Sequence, residues 1–157
     1  MDSAFLTAAA RFPPGPLIGL DLGTKTIGVA VSNPERNLAS PVTTIKRSKF
    51  TADATELLRL ATERRAAGLV MGLPLNMDGT EGPRAQSARA FVRNLSRHSD
   101  LPVAFWDERL STAAAERELI ALDTKRAKRA RIIDAHAAAH ILQGALDRLR
   151  AAGQREA

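Results

Sequence analysis

The chain contains no cysteine, no tyrosine and a single tryptophan, and aromatic residues make up only 4% of its 157 positions. Without cysteine there are no disulfides and no thiolate-held metal, which agrees with a reducing, cytoplasmic setting. The shortage of rings argues against a stacking platform for unpaired bases, which needs clustered exposed aromatics. No apolar run approaches the ~18 residues that cross a bilayer. Near the start, Asp2 stands where a secretion signal would be basic and the apolar stretch is short, so residues 1–16 are expected to be a flexible leader. What the chain does have is positive charge, +6 net with a sequence pI of about 10.7. A basic surface attracts polyanions, nucleic acid above all. With few rings, recognition would run through backbone phosphates and shape.

Hydrophobic residues at 45% and charged residues at 25% are the balance of a globular protein of one domain. Leu17–Leu22 and 27–32 read as two apolar strands joined by a tight Gly-Thr-Lys turn, and 42–45 as a third. The period then changes. Residues 53–67 suit a helix closed by Gly68, 69–74 a buried strand, 84–97 a helix and 102–106 a fifth strand. A further helix is expected from a cap at Ser111 or Thr112 through Leu122, and a last one over 132–150, before a flexible tail at 151–157. The order predicts an α/β domain over 17–150: a mixed five-stranded sheet, an antiparallel meander followed by parallel strands, with helices on both faces.

Three carboxylates occupy similar addresses. Asp21 closes the first strand, Glu108 follows the fifth, and Asp134 begins the last helix. Strand interiors rarely carry Asp, because a charge there loses hydration unless something compensates it. The first strand should be central, and a later parallel strand beside it would make Asp21 and Glu108 neighbours. Asp134 shares a helical face with Ala137, Ala138, Ile141 and Ala145, a small apolar stripe that should press on the sheet. An N-terminal cap is the plainer explanation; the face position favours function. Converging carboxylates repel one another without a cation, and oxygen-only ligands select Mg²⁺ or Mn²⁺ over zinc. Such an acidic site in a basic protein suits phosphodiester hydrolysis with two metal ions.

The segments GLDLGTKTIGVAVS, GLPLNMDGTEG, FWDERLST and IIDAHAAAHIL, in this order, resemble the YqgF/RuvX family, Holliday-junction-resolvase-like proteins also described as pre-16S rRNA nucleases. The match covers about 17–150. The resemblance implies a ribonuclease-H-like fold, with Asp21 shared by both metals and Glu108 and Asp134 as the other ligands. It also implies a nuclease task in ribosome biogenesis, the maturation of precursor 16S rRNA, with DNA junctions as the alternative substrate. Ribosome association and a monomer or weak homodimer go with that reading. No fourth metal carboxylate is identifiable. Asp107 would face away from Glu108 in a continuing strand, and is read as a supporting residue.

Other residues carry two readings each. Thr24 and Lys25, in the turn beside Asp21, suit either a plain hairpin or a phosphate contact. Asn76, after the fourth strand, is turn chemistry or the rim of the site. Arg109 contacts phosphate or pairs with Asp107. Lys125, Arg126, Lys128 and Arg129 form a solvated face or a clamp on nucleic-acid backbone. His136 and His140 have a zinc spacing, but no Glu completes a hydrolase signature. Asp-Leu-Gly-Thr-Lys-Thr also resembles the phosphate loop of actin-like and sugar-kinase ATPases, which need a second lobe that 157 residues do not supply. A binding protein that retains the fold without catalysis is the remaining alternative.

Overall fold

A computed structural model describes residues 3–110 and 126–156, with the backbone alone described at 126–133 and 154–156. The helix expected over 111–122 lies outside the described residues. Helix α1 (Ser3–Ala9) precedes three strands, β1 (Leu17–Leu22), β2 (Thr26–Ser32) and β3 (Ala39–Lys46). Then come α2 (Phe50–Glu63), β4 (Gly68–Leu73), α3 (Pro83–Leu95) and β5 (Val103–Asp107). A 3₁₀ turn (Glu108–Leu110) follows β5, and α4 (Arg126–Glu156) is the last described element. The five-stranded sheet has the order β3-β2-β1-β4-β5, antiparallel from β1 to β3 and parallel through β4 and β5.

Strand alternation sends side chains to two cores. Ile18, Leu20 and Leu22 of β1 join Ile27, Val29 and Met71 beneath α2 and α3. Leu17, Ala30, Val70, Ala104 and Trp106 face α1 and α4 instead. Each wholly buried Leu or Ile contributes ~1.5–3 kcal/mol of burial, so both faces hold the sheet. Helix boundaries have local causes. Pro83 stands at the start of α3, where its missing N–H costs nothing. At α2, the buried Asp53 accepts hydrogen bonds from the Ser48 backbone N–H (3.0 Å) and hydroxyl (3.3 Å), fixing the entry to the helix.

Several expectations need correction. The leader is packed: Phe5 is buried edge-on against Trp106, with centroids 5.0 Å apart, and Phe12 is buried too. Lone aromatics ahead of a Pro-rich stretch carry no periodicity, so their core role becomes visible only once Trp106 is in place. Helix α2 ends at Glu63, not Ala67, because Arg65 takes a left-handed φ of 54°. Gly68 is not its cap but the first residue of β4, where a Cβ would lie 2.2 Å from the Phe12 ring. Strand β3 is longer than expected, pairing from Ala39 to Lys46 with an irregularity at Val29/Ala30. Helix α4 starts at Arg126 and runs on to Glu156, through the residues expected as tail.

Helix α4 crosses the sheet at very short range. A Cβ on Gly19 would lie 2.6 Å from the Leu142 Cβ, and one on Gly28 would lie 2.0 Å from the Asp134 carbonyl oxygen. Backbone cannot yield as a flexible side chain can. Gly28→Ala is therefore expected to cost at least ~3 kcal/mol, the upper end of overpacking, read as a fall in the denaturation midpoint. An unchanged midpoint would contradict this packing.

Candidate active site

Asp21 is the fifth residue of a fully buried strand, and only 4% of its surface is exposed. Because Gly19 faces α4, Asp21, two residues on, faces α4 as well. Its neighbours on that face have no side chains. Gly28 is its partner across β2. On the other flank β4 pairs Leu20 with Met71, so the next step of the register sets Gly72 beside Asp21. The sheet thus presents one carboxylate between two bare backbone positions.

Those two positions are covered by the other two acids. The Asp134 backbone lies over Gly28, as its carbonyl shows, and the Glu108 side chain lies over Gly72, its Cγ and Cδ 3.2 Å from where a Cβ would be. Glu108 is not on a strand next to β1, as expected from sequence; β4 intervenes. Gly72 lets the Glu108 side chain lie across that strand. Asp134 is not a helix cap either, since α4 begins at Arg126. Its Oδ2 instead accepts a 2.5 Å hydrogen bond from the Thr26 hydroxyl. Nothing local in the sequence points to Thr26, which lies 108 residues away. Glu108 and Asp134 are thus set on opposite sides of Asp21 without closing into a cage: among the described residues no three His, Asp or Glu side chains form a metal-holding group. Their donors are nonetheless all carboxylate oxygens, which suit a hard divalent cation.

The remaining candidates sort by position. Thr24 and Lys25 are exposed in the β1–β2 turn, and the Lys25 carbonyl accepts from the Arg47 backbone N–H at 2.9 Å. Asn76 is exposed on the loop after β4, bonded through backbone and side chain to Thr80. Arg109 pairs with Asp107 at 2.7 Å and donates to the Met77 carbonyl at 3.1 Å, so it ties that loop to the end of β5. Asp107 belongs to this pair. Lys125 lies outside the described residues; Arg126, Lys128 and Arg129 lie in the first turns of α4, without described side chains. His136 and His140 are half-buried on α4.

The family model of RuvX, described as Holliday junction resolvase, matches residues 15–148. The chain belongs to the RuvX family. A relative from Rhodopseudomonas palustris (strain BisA53), named "Putative pre-16S rRNA nuclease", is 70% identical over 92% of this chain and 89% of its own. One of the same name from Nitrobacter hamburgensis is 67% identical, again over 92% of this chain and 89% of its own. Among solved structures, T. thermophilus RuvC in complex with Holliday junction substrate superposes with a TM-score of 0.55 at 16% identity, covering 86% of this chain and 96% of that one. At that identity the likeness speaks for the fold, which is α/β and ribonuclease-H-like. Among the described residues no helix is long and apolar enough to cross a membrane.

The Asp107–Arg109 pair has a titration consequence. Partial burial raises the Asp107 pKa, but the Arg109 hydrogen bonds and charge outweigh it and hold the carboxyl below its ordinary value. A lowered carboxylate contributes stability above its unfolded pKa and loses it as pH falls through the folded one. Arg109→Ala should raise the Asp107 pKa in an NMR titration of its carboxyl carbon, and remove that acid-range loss of stability. An unmoved titration would show that Arg109 does not hold the carboxylate.

Proposed function

We propose that this chain is a metal-dependent endonuclease that cuts phosphodiester bonds in structured RNA, and that its task is 5′-end processing of precursor 16S rRNA in the cytoplasm, in association with ribosome precursors. The observation that carries the reading is Asp21, a buried mid-sheet carboxylate between Gly28 and Gly72 with Asp134 and Glu108 set over them. Asp21, Glu108 and Asp134 would hold Mg²⁺ or Mn²⁺, two ions in the full arrangement. Such ions lower the pKa of a water and offset charge on a phosphoryl oxygen.

The protein's own part is placement. The sheet immobilises Asp21, and Thr26 holds the Asp134 carboxylate in one orientation. Glu108 begins the 3₁₀ turn that ends in Leu110, and Arg109 in that turn anchors the 76–80 loop. The charge of +6 supports a polyanionic substrate, and the names of the relatives favour rRNA. A DNA junction is the second reading, favoured by the family description and by the RuvC complex.

The deciding experiment compares Mg²⁺-dependent cleavage of a precursor 16S rRNA fragment and a synthetic DNA junction, by wild type and Asp21→Asn. Cleavage of the RNA at its 5′ extension, lost by several orders of magnitude in Asp21→Asn, is the expected result. Equal background in both proteins would leave only binding, and cleavage confined to the junction would move the substrate to DNA.

A further inference from the structure

The end of β1 has a second side. Asp21 faces α4, whereas Leu22 joins the core beneath α2 and α3. On that side a pocket of about 160 Å³ opens between the β1–β2 turn and the start of α3. Gly23 and Thr24 line it from the turn, Arg47 from the segment after β3, and Arg84 and Ser87 from α3. Nothing local in the sequence marks either arginine, because they lie in separate elements 37 positions apart and meet only through the fold.

The two guanidinium groups are positioned by the backbone of the turn. Arg47 Nη1 donates to the Gly23 carbonyl at 2.7 Å, and Arg84 Nη2 reaches the Leu22 carbonyl at 3.5 Å. Each bond uses one of the five N–H donors that a guanidinium offers. Among the described residues, Arg47 and Arg84 form no ion pair with a carboxylate, in contrast to Arg59, Arg89 and Arg109. Two cations lining one small pocket repel one another, and a bound anion offsets that repulsion. The start of α3 agrees in sign: its first turn holds no acid, and Gly82 at its N-cap brings no side chain to occupy the amides.

We infer that this pocket grips a backbone phosphate of the substrate other than the one being cut. Arg47 and Arg84 act as forked donors there, with the Thr24 and Ser87 hydroxyls beside them. The inference rests on the nucleic-acid reading above and adds where the strand runs. Consecutive residues of β1 serve opposite sides of the sheet, so a strand crossing the end of β1 meets the carboxylates on one side and the cations on the other. Phosphate carries no base identity, so the grip fixes register and not sequence.

The test uses Asp21→Asn as parent, so that nucleic acid stays intact. Its binding to the precursor 16S rRNA fragment, and to DNA of the same sequence, is followed by fluorescence anisotropy over a range of salt. Arg84→Ala removes one donor set, and Ser87→Glu puts a negative charge in the pocket without touching the turn. Each is expected to weaken binding about tenfold on both nucleic acids, and Arg84→Ala to reduce the slope of log affinity against log salt by ~0.7–0.9. Thermal melts like the parent's would exclude misfolding, and Arg84→Lys should keep the slope while losing part of the affinity. Unchanged affinity and slope in both variants would overturn the inference. So would a loss confined to RNA, which would mean a 2′-hydroxyl contact. A parent that binds neither nucleic acid would sink this inference and the nuclease reading together. Binding with the expected slope, but no Mg²⁺-dependent cleavage by the protein with Asp21 intact, would sink the nuclease reading alone.

Discussion

Helix α4 lies so close to the sheet that side chains are excluded from part of the surface between them. The Asp134 carbonyl sits where a Gly28 Cβ would be, the Leu142 Cβ crowds Gly19, and the Ile141 Cδ1 lies 2.7 Å from a Gly72 Cβ. Glycine weakens a strand on entropic grounds, so its use at three positions under one helix needs a structural return. The return is proximity. Ala137, Ala138 and Ala145 continue the same economy on the helix side, all buried with little bulk. Close approach then sets an acid from α4 and an acid from the end of β5 over the glycines that border Asp21.

That arrangement makes the fold and the chemistry one problem. A carboxylate buried in a strand is unfavourable for stability alone, and here it stands among neighbours that add negative charge. Around it the structure spends polar contacts on orientation: Thr26 on Asp134, Arg109 on Asp107 and on the loop after β4. These contacts hold the side chains of the candidate site in one geometry. On the far side of β1, Arg47 and Arg84 supply the opposite sign. The end of a single strand thereby separates an acidic face from a basic one.

Much of this was legible from sequence because the strands are short, apolar and punctuated by turn residues. The bounds of Leu17–Leu22 follow from its apolar run, and the meander followed by parallel strands follows from the order of elements. Asp21 was conspicuous as a charge in an apolar run. What stayed hidden depends on distance along the chain. The 2.5 Å contact of Thr26 with Asp134 spans 108 residues, and no local pattern announces it. Phe5 and Phe12 looked like a leader because their partners, Trp106 and Gly68, come much later. Gly68 looked like a helix cap for the same reason. The start of α4 at Arg126 is masked in the sequence because a run of Lys, Arg and Ala reads as a charged linker, although all three residue types favour helix.

The proposed cation site joins Asp21, Glu108 and Asp134 at the glycine lane beneath α4. Paramagnetic Mn²⁺ reports on that site through the broadening of backbone amide NMR signals at substoichiometric metal. Selective loss of the signals from Asp21, Gly28 and Gly72 is expected in the wild type, and their retention in Asp21→Asn. Broadening centred elsewhere, or the same pattern in both proteins, would contradict it.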